Sequence, residues 1–171
     1  MKCELKINQE LLNRITSIKG GKVRVGWQKD TQYDDGTPVA KVAEINEFGA
    51  TIRVTDKMRK WFAFQGFPLN KNTTEIHIPP RSFMRSTCDE KKQEWSNVMN
   101  SRLKKVFSGE LTFEQALEQL GLKIKGDVQE KISQTTTPPN SAMTIAMKGK
   151  NTPLRDTGLM LNSISYETEV K

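Results

Sequence analysis

The chain has 171 residues, 27% of them charged and 35% hydrophobic, with a net charge of +7 and a pI near 9.4. That length fits one domain, with room for an arm, and the composition leaves a thin core. Two cysteines without C-x-x-C spacing exclude a disulfide framework, and no apolar run is long enough for a bilayer span or a signal segment, so a reducing cytoplasm is expected.

Cys3, Leu5 and Ile7 alternate with Lys2, Glu4 and Lys6, which predicts a short half-buried strand. Asn8 is placed to cap a helix carrying Leu11, Leu12, Ile15 and Ile18, stopped by Gly20-Gly21. Val23, Val25 and Trp27 alternate with Lys22 and Arg24 as a second strand, followed by a polar turn from Asp30 to Gly36. Thr37 as N-cap and Pro38 at the first helical position start a helix that closes at Gly49, where positive φ is tolerated. Thr51 to Val54 reads as a third strand.

An aromatic insert follows at about residues 55–74. Thr55 caps a helix through about Gln65, Gly66 ends it, and the loop Asn70 to Thr74 leads into a strand over Glu75 to Ile78. One amphipathic helix cannot bury Trp61, Phe62 and Phe64 together with Phe67 on a single face, so some of them must meet another surface of the same domain or a neighbouring subunit.

Pro79-Pro80 stops that strand, because proline donates no ladder hydrogen bond and restrains its predecessor. Ser82 is placed to cap a long helix with apolar positions Met84, Cys88, Trp95, Met99, Leu103 and Val106. Both Cys88 and Cys3 therefore read as small buried hydrophobes. Ser108-Gly109 breaks the helix. Thr112-Phe113-Glu114-Gln115 is a capping box for the next one, which presents Phe113, Leu117, Leu120, Ile124, Val128 and Ile132. From Arg81 to Lys131 ten basic and eight acidic side chains interleave, so the charge is dispersed as on a solvated helix pair.

Residues 133–153 turn polar and are expected as an arm, mobile or ordered by a partner, with a brief helix begun by Asn140 or Ser141. In residues 154–171 Asp156 is a candidate N-cap for a short helix over Leu159 to Asn162, and Ile164 and Tyr166 alternate into a last strand that returns to the core of residues 1–132. The implied class is α+β, a small, mostly antiparallel sheet with long helices packed on one face and a polar extended arm.

Catalytic constellations are missing from the sequence. His77 has no second histidine and reads as a strand residue. Asp34-Asp35-Gly36 lacks the ligand spacing of a calcium loop and reads as a turn, and Glu44 and Glu47 read as a solvated helix edge. Lys148-Gly149-Lys150 has no phosphate-loop frame around it. Neither an enzyme nor a cofactor is expected.

Three segments remain: Asn46-Glu47-Phe48-Gly49, Ile78-Pro79-Pro80-Arg81-Ser82-Phe83-Met84-Arg85, and Pro153 through Ile164 with its Leu154, Asp156-Thr157-Gly158 and Ser163-Ile164. In order and wording they resemble the neck and tail-completion (virion morphogenesis) proteins of long-tailed bacteriophages, including Mu-like prophages. There N-E-F-G or H-E-F-G precedes I-P-x-R-x-F-x-R and P-L-x-D-T-G-x-L-x-x-S-I. The likeness covers about residues 23–166, with Met160 where the family more often has Leu.

The resemblance implies a structural virion protein of the head–tail junction. It implies a homo-oligomeric ring around the DNA channel, made in the host cytoplasm and bound to adjacent neck or head-closure and tail-terminator or tail-tube proteins. Gly49 and Gly158 would serve backbone geometry, Pro79 and Pro80 would end a strand, and Phe83 would anchor the long helix. Arg81 and Arg85 would pair with Glu44 or Glu47 within the fold, or make a subunit or phosphate contact. Together with Trp61, Phe62, Phe64 and Phe67 they are the candidate subunit interface. The rival readings are a basic nucleic-acid-binding module outside a virion, on the net charge, and a small hydrolase using His77 and Glu47.

Overall fold

The computed structural model describes residues 9–171. The strand expected at Cys3, Leu5 and Ile7, the Asn8 cap and the burial of Cys3 fall outside those residues. Within them the order is α1 (Gln9–Ser17), β1 (Gly21–Gly26), α2 (Val39–Phe48), β2 (Ala50–Arg53), α3 (Asp56–Phe64), β3 (Glu75–Ile78), α4 (Phe83–Ser108), α5 (Phe113–Gln134), α6 (Ala142–Lys148), α7 (Leu159–Asn162) and β4 (Ser165–Val170). The class is α+β, and the strands divide between two antiparallel pairs, β1–β4 and β2–β3. Among the described residues no helix is long and apolar enough to cross a membrane. The chain forms two compact units, one of residues 9–26, 87–128 and 164–171, the other of residues 27–86 and 129–163.

In the first unit β1 and β4 pair from Gly21 opposite Val170 to Gly26 opposite Ser165. Helix α5 lies close on this pair because glycine stands at both points of approach. A Cβ on Gly21 would meet Leu117 Cδ1 at 2.5 Å, and one on Gly121 would meet Tyr166 Cδ2 at 2.4 Å. The Thr112 capping box is formed, with Gln115 N donating to Thr112 Oγ1 at 3.1 Å and Thr112 N to Gln115 Oε1 at 2.9 Å. Between α4 and α5, Trp95 Nε1 donates to Asp127 Oδ2 at 2.7 Å, and Lys123 reaches Asp127 at 2.8 Å and Glu94 at 2.7 Å. These bonds satisfy the buried Asp127 carboxylate; its hydrogen bond, with that of Glu94, raises the Lys123 pKa above the usual lysine value.

Cys88 is exposed, not buried. The buried positions at the start of α4 are Phe83 and Thr87, one turn apart, and Cys88 is rotated a further ~100° from them.

The two glycines of α5 separate packing from propensity. Gly126 has open space around a built Cβ, so Gly126→Ala is expected to stabilise the fold by about 0.5–1 kcal/mol. Gly121→Ala gains the same propensity but drives a methyl into the base of the Tyr166 ring, and should destabilise by about 1–2 kcal/mol net. Urea denaturation of both variants checks the opposite signs.

In the second unit Val39, Ala43, Phe83, Ile132, Pro153 and Met160 are buried. Trp27 stands edge-on to Phe83 at 6.0 Å between centroids and donates Nε1 to Met160 O at 2.8 Å. β2 and β3 pair from Ala50 opposite Ile78 to Arg53 opposite Glu75, and Pro79-Pro80 follows Ile78 at the end of β3. Thr55 caps α3 through Met58 N, and Ser141 caps α6 through Thr144 N. At α2 the N-cap is Pro38 rather than Thr37. The Thr37 amide is instead held by Asp35 Oδ1 at 2.9 Å, which closes the polar turn and delays the helix by one residue.

Candidate functional site

All three motif segments contribute to the second unit, and they meet around the junction of α2, β3 and α4. Glu47, in the last turn of α2, is only 4% exposed. Its carboxylate accepts from Met84 N at 2.8 Å, Arg85 N at 3.1 Å and Arg85 Nε at 2.9 Å. Those amides belong to the first turn of α4, where no intrahelical acceptor exists and where the helix dipole favours an anion. Glu47 therefore caps α4, the role expected of Ser82. The Ser82 hydroxyl accepts from Arg85 Nη2 at 2.7 Å and donates towards Glu47 O at 3.4 Å.

The solvated edge expected at Glu44 and Glu47 holds only for Glu44, which is exposed and paired with Lys41 at 2.9 Å. The two carboxylates sit three residues apart, and α4 packs over the second. Arg85 makes the expected ion pair with Glu47, and its guanidinium lies 4.6 Å over the ring of the exposed Phe48.

Among the described residues Arg81 pairs with no carboxylate. It is 7% exposed, its amide donates to Asn46 O at 2.6 Å, and its Nη1 donates to Asn46 Oδ1 at 3.3 Å. Nε and Nη2 donate to Pro138 O at 2.8 Å and Pro139 O at 2.9 Å. Carbonyls of a proline pair have no neighbouring N–H of that pair to compete for, so a guanidinium fork suits them. Burial lowers the Arg81 pKa, and the group stays charged because arginine begins so high. The polar stretch is thus not an extended arm at this point. It is tied to Arg81, and Asn140 N is held by Asn151 Oδ1 at 3.1 Å.

The fork makes Arg81→Lys a severe change despite the retained charge, since one ammonium cannot serve three divergent acceptors. Amide exchange over residues 135–150 is expected to quicken, with about 1–2 kcal/mol of global stability lost. Unaltered exchange there would show that the stretch holds itself.

In the third segment Pro153 is buried and Leu154 takes φ 62°. Asp156 is not the cap of α7. Gly158, at φ 83°, precedes Leu159, whose amide donates to Thr157 Oγ1 at 3.2 Å. Asp156 lies 3.4 Å from Lys148 instead. With Asp35 it raises the Tyr33 pKa, although partial burial is the larger cause. Ser163 Oγ donates to Leu159 O at 2.6 Å. Ile164 is buried and belongs to the first unit.

A cleft of about 240 Å³ is lined by residues of every segment, among them Asn46, Pro79, Arg81, Leu154 and Asp156, together with Asn140. His77 also lines it, exposed on β3 with Nδ1 3.2 Å from Thr51 Oγ1. The cleft's polar side chains mostly bind one another or backbone, an arrangement that fixes shape. Among the described residues no group of three or more His, Cys, Asp or Glu side chains could hold a metal ion.

Phe62 on α3 and Phe67 in the loop after it are half-buried, while on α3 Trp61 is 48% and Phe64 87% exposed. Of the candidate interface, Arg81 is engaged inside the unit, and Trp61 and Phe64 face outward. Sequence reasoning missed Trp27, Pro138, Pro139 and Asn140 as partners of the motifs. Their only local signal was the Pro-Pro pair itself. Compared with protein-family models, curated proteins and solved structures, the chain has no match.

Proposed function

We propose that this chain is a structural subunit of the head–tail junction of a long-tailed bacteriophage. It forms a homo-oligomeric ring in the neck or at the top of the tail, beside adjacent head-closure, tail-terminator or tail-tube proteins, and encircles the DNA exit channel. The observation that carries the reading is that the first two segments of the family-like signature bind each other and the third lines the cleft beside them. Asn46 and Glu47 hold Arg81, Met84 and Arg85, and the third segment lines the same cleft. Residues engaged in this way define a subunit's shape, which is the property an assembly part needs. The outward Trp61 and Phe64 suit a contact with a neighbouring subunit, and a net charge of +7 suits a channel that carries DNA.

A phage lacking this chain should accumulate filled heads and finished tails that fail to join, and adding the purified protein should join them. Infectious particles formed without it would overturn the reading. A protein that stays monomeric and binds duplex DNA with steep salt dependence would favour the nucleic-acid-binding module instead.

A further inference from the structure

Two exposed surfaces of this chain carry complementary features. On α3, Lys57, Lys60, Trp61 and Phe64 fall at i, i+3, i+4 and i+7, so they share one face, and all four are exposed. Met58 and Phe62 turn the other way and are half-buried. On α5, Glu114, Glu118 and Leu122 occupy successive turns of one exposed face, with Leu122 60% exposed. Among the described residues none of these lysines and glutamates forms an ion pair.

Leu122 borders a shallow groove of about 370 Å³ lined by Arg102, Gln119, Lys123, Gly126 and Asp127. Gly126 leaves the groove open, since nothing lies within 4 Å of a Cβ built on it. Lys123 is already held by Asp127 and Glu94, whereas Arg102 Nε is buried with no hydrogen-bond partner among the described residues. A guanidinium beside apolar surface is suited to an aromatic ring.

We infer that the outward face of α3 docks onto the Glu114–Leu122 face of α5 in a second copy of this chain, with Phe64 entering the groove beside Leu122. Register decides the orientation. Lys57 to Phe64 spans about 10 Å of helix and Glu114 to Leu122 about 12 Å. Run parallel, Lys57 meets Glu114, Lys60 meets Glu118, and Phe64 reaches Leu122. Run antiparallel, Phe64 would lie on Glu114. The two faces differ, so the contact is heterologous and passes from copy to copy, the kind of contact a ring is built from. This contact rests on the ring reading above and supplies its two faces.

The test is sedimentation velocity with native mass measurement over a range of concentrations, on the wild type and four variants. Wild type is expected to self-associate. Lys57→Glu/Lys60→Glu and Glu114→Lys/Glu118→Lys should each weaken association at least tenfold, and the fourfold charge swap should restore it to within about threefold of wild type. Phe64→Ala should weaken association about tenfold or more. Thermal melts matching wild type show that the exposed substitutions leave the fold intact. A wild type that stays monomeric overturns the contact. An oligomer indifferent to the reversals also overturns it, while leaving the ring standing. If the swap behaves as expected and the protein joins no heads to tails, the contact holds and the head–tail reading fails.

Discussion

Glu47→Ala is expected to lower the unfolding free energy by about 2–4 kcal/mol, more than any other single change on the face of α2. The carboxylate is almost fully buried and serves three donors, two of them amides in the first turn of α4. Removing a helix cap costs about 1–2 kcal/mol, and leaving part-buried amides without an acceptor costs about 1–3 kcal/mol. The ion pair adds little, since the Arg85 side chain is 55% exposed and water screens it. The effects therefore rank. Arg85→Ala should cost below about 1 kcal/mol, and Glu47→Gln, which keeps one carbonyl oxygen but loses the charge, should fall between. Urea denaturation with an unchanged m-value checks the order. Equal losses at Glu47 and Arg85 would show that the pair, not the cap, holds α2 to α4.

That cap marks the boundary of what the sequence could reveal. The Thr112 box was legible because donor and acceptor lie three residues apart, and the geometry of one helical turn brings them together. Gly49, Gly66 and Gly109 were legible for a similar reason, as each ends a helix with positive φ. The α+β class followed from such local signals. Glu47 and Met84 are 37 residues apart, and nothing local shows that a carboxylate three positions from Glu44 will be covered by another helix. The same holds for Arg81, whose acceptors at Pro138 and Pro139 lie 57 and 58 residues away. In both cases the sequence singled out an arginine without showing its acceptor. Whether a carboxylate or a pair of carbonyls would answer it depended on packing.

Cys88 and Asp156 show a smaller failure of the same kind. A long helix with few large apolar residues allows more than one inward stripe, and Phe83, once buried against Trp27, selects the stripe through Thr87. Asp156 has the right chemistry for a cap, but the left-handed Gly158 takes the N-cap position of α7 two residues beyond it. In each case residue type was informative and the register was set by neighbours distant in sequence.

Gly49→Ala is expected to cost about 3–4 kcal/mol, enough to unfold a marginal domain. Two effects coincide at this residue. Its φ of 75° and ψ of 169° lie in a region that glycine almost alone occupies, and holding alanine there costs about 1–3 kcal/mol. The new Cβ would also stand 2.8 Å from Ile78 O and 3.0 Å from Pro80 N. Both are backbone atoms at the end of β3, fixed by pairing with β2 and by the proline that follows, so neither can swing aside as a side chain would. Gly158→Ala is the milder contrast, in the left-handed region and without a backbone clash. Its φ is 83° and ψ −3°, and the nearest atom to a built Cβ is the flexible Asn162 Nδ2 at 3.4 Å. It should therefore cost only about 1 kcal/mol. Denaturation midpoints for the two variants check the difference, and equal losses would show that neither the clash against β3 nor the rarer backbone region adds to the cost at Gly49. Because Gly49 is where the first motif touches the second, the proposed head–tail role predicts that Gly49→Ala loses joining only as far as it loses folded protein. At a temperature low enough to keep the variant folded, joining should return.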